Sequence, residues 1–281
     1  MRFTIVTPSF RGGQWLPLCI ASVADQSVDH EHIVQDACSD DGTRDWLPRD
    51  PRVVAVIEKD QGMYDAVNRG WSRATGEVLS YLNSDEQYLP EALRAVEEYF
   101  TRHPEVDVAF GDVVVVDPAG QYLCERRALC PHVPHTLVSN NLSFLTAAAF
   151  VRRRVVAEMG FRFDPAWRDA GDADWAIRLA RAGVRMGLLR QFTSVFTDTG
   201  ANMNLGANAA REKQALFARA PWWARRFRGA VVAHYRLRRL LAGHYFPRPH
   251  TYAIYTRARP EVRTVFHVDR PTWRWPRQSS R

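Results

Sequence analysis

Four short β-rich segments, each broken off by a polar cluster and each followed by a turn or helical pattern, frame the first hundred residues. Phe3-Thr4-Ile5-Val6-Thr7 stops at Pro8, and a helix-like stretch follows from about Trp15 to Gln26. Glu31-His32-Ile33-Val34-Gln35 ends at Asp36, and Asp36 to Thr43 is turn chemistry throughout. Val53-Val54-Ala55-Val56-Ile57 precedes a helical pattern from Tyr64 to Ala74 that Gly76 closes. Val78-Leu79-Ser80-Tyr81-Leu82 stops at Asn83-Ser84-Asp85, and Pro90 then opens a helix to about Phe100. Strands alternating with helices at this spacing predict an α/β fold with a mostly parallel, doubly wound sheet. Such sheets bind ligands beyond the carboxyl ends of their strands, which is where the polar clusters stand.

The rest of the chain is less regular. Val108 to Val116 and Gln121 to Cys130 read as a small antiparallel excursion, Phe144 to Met159 mixes signals, and Asp174 to Ala182 reads as a helix ended by Gly183. Trp222 to Gly243 reads as an amphipathic helix. Its apolar face holds Trp223, Phe227, Ala230, Val231, His234, Leu237 and Leu241, opposite Arg225, Arg228, Arg236 and Arg239. Residues 247–281 are rich in Pro and Arg and offer weak structure.

Composition excludes several classes. With 281 residues, 46% apolar and 25% charged, the chain can bury a core without staples, so disordered, collagen-like and disulfide-scaffold readings fall away. Cys19, Cys38, Cys124 and Cys130 form no C-x-x-C and read as free thiols of a reducing compartment. No apolar run approaches the roughly 18 to 20 residues of a membrane span. The N-terminus reads as a strand and not a signal peptide. The expected location is the cytoplasm. The net charge of +7 is unevenly spread: residues 1–212 hold 22 basic and 29 acidic side chains, whereas 213–260 hold 11 basic and none acidic. That basic tail suggests an anionic partner. A nucleic-acid module is absent, so the tail points to an anionic membrane surface through 222–243, with peripheral attachment, or to a helix docked on its own domain.

The chain has no G-x-G-x-x-G, no P-loop, no H-E-x-x-H and no G-x-S-x-G at a strand–helix elbow. What remains is a set of carboxylates and amides at strand ends: Asp36, Asp41, Asp60, Asp65, Asn68, Asn83, Asp85 and Glu86. Acidic groups repel phosphate, so a nucleotide there needs a cation between, and Mg²⁺ or Mn²⁺ meets that need.

These residues resemble family 2 glycosyltransferases. The likeness is carried by Thr7-Pro8-Ser9-Phe10 with His32 to Thr43, by Glu58 to Gly70, by Ala74-Thr75-Gly76-Glu77 with Leu82 to Glu86, and by Asp172 to Leu179. It covers roughly residues 1–200. The resemblance implies a GT-A, Rossmann-like fold, a nucleotide-diphosphate sugar donor of UDP, TDP or GDP type, a divalent metal and inversion at the anomeric carbon. The domain reading is a nucleotide-sugar half over about 1–105 and an acceptor half over about 106–212, followed by 213–281, which its charge sets apart as a basic, Arg-rich helical extension. Carried over, Thr7, Pro8 and Ser9 flank base and ribose, Asp36 accepts a hydrogen bond from the base, and Asp60, Asp65 and Asn68 lie near the donor. Asn83-Ser84-Asp85 occupies the D-x-D position, with Asn in place of the first acid and Asp85 as metal ligand. Glu86 is a weaker candidate beside it. Asp172 matches the second residue of the E-D pair, the general base; Gly171 stands where Glu is usual, and Asp174 is the second choice. Asp198 is a candidate further metal ligand, and His132 and His135 are candidates for the acceptor side. The acceptor is a glycan, a lipid-linked glycan or a small molecule. Two alternatives stay open: a nucleotidyltransferase acting on a sugar phosphate, and a nucleic-acid-binding protein that uses the basic tail.

Overall fold

The computed structural model describes residues 1–139, 142–200 and 206–276. The first part alternates as expected: β1 (Phe3–Ser9), α1 (Leu16–Ala24), β2 (His30–Asp36), a short α2 (Thr43–Trp46), β3 (Val54–Ile57), α3 (Met63–Arg73), β4 (Val78–Tyr81), β5 (Glu86–Tyr88) and α4 (Ala92–Arg102). Then come β6 (Val108–Val116), β7 (Tyr122–Arg126), α5 (Val133–Ser139), β8 (Ala149–Arg152), α6 (Arg153–Ala157), α7 (Gly171–Arg181) and β9 (Met186–Thr197). The last part holds α8 (Ala207–Ala218), α9 (Trp222–Arg226), α10 (Arg228–Leu241), β10 (His250–Thr256) and β11 (Arg259–Val268).

One sheet runs β3-β2-β1-β4-β8-β6-β9-β5, with β7 on the side of β6. Strands β3, β2, β1, β4, β6 and β9 point one way, and β8, β5 and β7 the other. Both faces are covered, as a parallel sheet requires. Phe3 and Ile5 of β1 pack with Cys19 and Val23 of α1 and Leu93 and Val96 of α4. Val6, pointing the other way, packs with Val67 and Trp71 of α3 and Trp175 of α7. The approach of α3 to β1 is close enough that a Cβ on Gly70 would lie 2.5 Å from Val6 Cγ1.

The C-terminal segment departs from expectation in three ways. The stretch from Trp222 to Gly243 is two helices that meet at Phe227. Its docked face is Ala224, Val231 and Tyr235, while Trp222, Trp223, Phe227, Leu237, Leu240 and Leu241 are exposed. Of the apolar stripe read from the sequence, only Val231 lies on the buried side. Residues 250–268 are a β-hairpin and not weak structure: Tyr252 and Ile254 alternate inward against Val114, Val116 and Val195. The hairpin is clamped to the first helix by Arg263, whose guanidinium pairs with Asp25 at 2.6 Å and donates to the carbonyls of Tyr88 and Ala253, each at 2.9 Å. Positions 212 and 213 fall inside α8, so the body and the extension share one helix. All four cysteines are free thiols. Among the described residues no helix is long and apolar enough to cross a membrane.

Candidate active site

The parallel register brings the ends of β1 and β2 level, Ser9 beside Asp36, and β3 continues the row with Ile57 beside Asp36. Above these ends lies a cleft of about 970 Å³, at the upper limit of single-ligand sites and roomy enough for two substrates. Pro8, Ser9, Lys59, Asp60, Asn83, Ser84 and Asp85 line one end, and Arg126, Leu142, Leu145, Lys213 and Trp275 contribute elsewhere to its wall. Ser9 Oγ is buried without a hydrogen-bond partner, an orphan polar atom at the wall that a polar ligand would satisfy.

The expected donor residues divide. Pro8, Ser9, Asp60, Asn83 and Ser84 face the cleft. Thr7 does not: its Oγ1 is buried and shares a hydrogen bond with His32 Nε2 at 2.8 Å. Burial holds that imidazole neutral, its pKa down to about 3. Asp36 is fully buried and holds its own loop, its carboxylate accepting from the Ser39 amide at 2.8 Å and the Ser39 hydroxyl at 2.7 Å. Asn68 is turned away, its amide exchanging two hydrogen bonds with the Phe163 backbone at 2.8 and 3.0 Å. Asp65 pairs with Arg69 at 3.0 Å on the outer side of α3. All three are held by protein partners in this arrangement, whereas the sequence expectation sets them near the donor.

The 83–86 turn follows β4. Glu86 is buried, accepts the Asn83 amide at 2.8 Å, and is pushed up to about 8 by burial and then by Asp85. Asp85 faces the cleft with its carboxyl raised by burial. Among the described residues no three His, Cys, Asp or Glu side chains form a ready-made metal site. A divalent cation is therefore suited here only as a bridge, with Asp85 on one side and diphosphate oxygens completing its shell. The residues fit that arrangement: Asp85 is a desolvated carboxylate on the cleft, and Glu86, pushed up to about 8, stays uncharged near neutrality and leaves the negative charge to Asp85. Asp198 is committed elsewhere, its Oδ2 accepting the indole N–H of Trp275 at 2.7 Å and its Oδ1 the Gly200 amide at 3.1 Å. It is not one of the cleft residues, so its assignment as a metal ligand is not supported.

Asp172 stands in the first turn of α7, which begins at Gly171, three residues earlier than the sequence suggested. Its carboxylate accepts the Ala173 amide at 2.7 Å, and its own amide donates to the Tyr64 hydroxyl at 3.1 Å. Burial raises its pKa to about 6, suited to a base working near neutrality. The Tyr64 ring also explains Gly171: a Cβ there would lie 2.6 Å from Tyr64 Cε2. Asp174 is spoken for, pairing with Arg178 at 2.7 Å and Arg219 at 3.0 Å, and does not reach the cleft. It is not an alternative base. His132 and His135 pack against α10, His135 Nε2 lying 3.0 Å from His234 Nδ1, so they stand behind the acceptor wall. Lys59, Tyr64, Arg126, Lys213 and Trp275 were not singled out from the sequence yet line the cleft.

The sheet order, the strand-end turn bearing Asp85 and the facing Asp172 define a GT-A-type architecture. A family model described as glycosyl transferase family 2 matches residues 4–159, and the chain belongs to that family. A "PGL/p-HBAD biosynthesis glycosyltransferase" of Mycobacterium bovis (strain BCG / Pasteur 1173P2) is 34% identical over 120 residues, covering 40% of this chain and 47% of that protein. The chain thus spans about half the length of the curated relatives it matches. Among solved structures, S. aureus TarS 1-349 in complex with UDP-GlcNAc superposes with a TM-score of 0.59 at 15% identity, covering 78% of this chain and 67% of that one. The mannosyltransferase PcManGT from Pyrobaculum calidifontis, in complex with GDP-Man and Mn²⁺, gives 0.52 at 20% identity, covering 76% and 60%. At these identities the structural likeness concerns the fold.

Proposed function

We propose that the protein transfers a sugar from a nucleotide-diphosphate sugar to an acceptor hydroxyl with inversion, in cell-surface glycan or other glycoconjugate synthesis. The observation that carries this reading is the presence of Asp85 and Asp172 on one cleft at the strand ends. Family membership favours it over nucleotidyl transfer and over nucleic-acid binding. The donor lies along Pro8, Ser9 and Asn83, with its diphosphate toward Asp85. A divalent cation at Asp85, Mg²⁺ or Mn²⁺, would neutralise charge on the leaving diphosphate. Asp172 Oδ2 takes the proton of the acceptor hydroxyl as its oxygen bonds to the anomeric carbon and the bond to the diphosphate breaks. One displacement of this kind inverts the centre.

The bound donors and Mn²⁺ in the similar structures support the donor class and the cation. The acceptor is a glycan, a lipid-linked glycan or a small molecule. Exposed Trp222, Trp223 and Phe227 beside Arg225, Arg226 and Arg228 support peripheral contact with an anionic membrane surface. Thermal-shift measurements with UDP, GDP and TDP, each with and without Mn²⁺, test the donor end. Stabilisation by one nucleotide that needs the metal is expected; equal stabilisation in EDTA would remove the cation from the scheme.

A further inference from the structure

Arg126 is a cation without an anion. It ends β7 and its side chain lines the cleft. Its neighbour Arg127 pairs with Glu125 at 2.7 Å, and Arg154 and Arg178 have carboxylate partners of their own. Arg126 makes no hydrogen bond or ion pair with any described residue. Its guanidinium instead lies 5.9 Å from the centroid of the Trp275 ring. That ring is itself fixed, by the indole hydrogen bond to Asp198 and by an edge-on contact with Phe196 at 5.5 Å.

The groups around Arg126 do not compensate its charge. From α10 it faces the Tyr235 hydroxyl and a second cation, Arg239, and from its own strand the Cys124 thiol. Burial, the largest influence, disfavours the charged form. A guanidinium partly withdrawn from water and set near another cation is costly unless something negative arrives. Its planar fork of donors matches a carboxylate or a phosphate, and the Trp275 face supports the guanidinium plane without competing for its N–H groups.

We infer that Arg126 is an anion-binding residue of the cleft, and that the acceptor carries a phosphate or carboxylate group that docks on it beside Trp275. This rests on the proposed reading, in which the donor lies along Pro8, Ser9 and Asn83 with its diphosphate toward Asp85, a position the Trp275 wall adjoins through Phe196, the register partner of Glu86. The donor's own diphosphate is the other possible source of such an anion, and the experiment separates the two. With the full chain, calorimetric titrations are run with inorganic phosphate, glucuronate and neutral glucose, in the absence and presence of saturating UDP and Mn²⁺, for wild type, Arg126→Gln and Arg126→Lys. Phosphate or glucuronate should bind saturably and glucose should not. Arg126→Gln should weaken anion binding tenfold or more and Arg126→Lys less, while UDP affinity stays within twofold. Whichever anion binds identifies the acceptor's group. The inference is overturned by absence of saturable anion binding to wild type, by equal binding to Arg126→Gln, or by loss of UDP affinity with anion binding kept. Should Arg126→Gln not melt cooperatively, Arg126→Lys and Trp275→Leu carry the same comparison. Failure of every nucleotide to bind wild type would count against the donor reading instead, and the titrations without nucleotide would still decide on Arg126.

Discussion

The two walls of the cleft are built by opposite means. At the strand-end wall, polar turns are held by residues a few positions away: Asp36 by Ser39, Asp60 by the Gly62 amide at 2.8 Å, Asn83 by Glu86. The other wall is assembled from segments far apart in the chain, with Arg126 from β7, Thr136 from α5, Lys213 from α8 and Trp275 from beyond β11. Local turns shape most of the first wall, although the Asp85 carbonyl also accepts from Thr197 Oγ1 at 2.6 Å, from 112 positions away. The second wall is complete only when the C-terminal segment, which supplies Lys213 and Trp275, is in place.

The largest effect that would sharpen this comparison concerns the base. Asp172→Asn should lower turnover by roughly 10²- to 10⁴-fold, while nucleotide binding measured by calorimetry is unchanged, because the carboxylate acts on the acceptor proton. Asp85→Asn should also cost orders of magnitude, but with weakened metal-dependent nucleotide binding. If Asp174→Asn were inactive and Asp172→Asn active, the assignment of the base would be wrong.

Next comes the packing beneath the base. Restoring the acid usual in the family, as Gly171→Glu, drives a Cβ into the Tyr64 ring. A loss of about 1 to 3 kcal/mol is expected on denaturant unfolding, with no gain in rate. A variant of unchanged midpoint would show that Tyr64 moves aside freely.

A comparable effect arises on the docked side of α10. His135 is buried against His132, His234 and Arg238, and burial, with these neighbours adding, holds its pKa at about 3. The unfolded chain takes up that proton near pH 6.5, the fold only near pH 3. Stability is therefore full above the unfolded value and is lost as pH falls from about 6.5 toward 3. At pH 5 one such histidine costs about 2 kcal/mol relative to pH 7.5. Denaturation midpoints at the two pH values should converge for His135→Gln; an undiminished difference would assign the effect to other buried histidines, such as His32.

The smallest effect on the fold is expected at the outer surface. Replacing exposed Trp222 and Trp223 by Ser should change stability by less than about 0.5 kcal/mol, yet reduce co-sedimentation with anionic liposomes several-fold at low salt. Retained binding would leave the α9–α10 face structural. Point variants suit this test better than truncation, since removing the tail also removes Trp275 from the cleft.

The contrast also accounts for what the sequence made legible. The strand-end motifs are short-range, so Asp85 and Asp172 could be placed on the cleft from the sequence. What the motifs do not show is the protein partner of each polar residue: nothing in the sequence marks Phe163 as the partner of Asn68, 95 positions away. Helix α10 was found but its face was not, because it docks through Tyr235 and a half-buried Arg238 more than through its aliphatic stripe. The β10–β11 hairpin was hidden by the prolines and arginines around it, although Tyr252 and Ile254 keep the period of two that a half-buried strand requires.

The clamp made by Arg263 sets an order of events during synthesis. Asp25 leaves the ribosome 238 residues before its partner. At ~5 to 20 residues per second, that is a wait of roughly ten to fifty seconds. Throughout it the first helix has its core contacts from the sheet to form but no hairpin to hold its outer edge. A nascent chain stalled short of Arg263 should therefore show faster amide exchange in α1 than the released protein. The later segment is thus the one that fastens the earlier one.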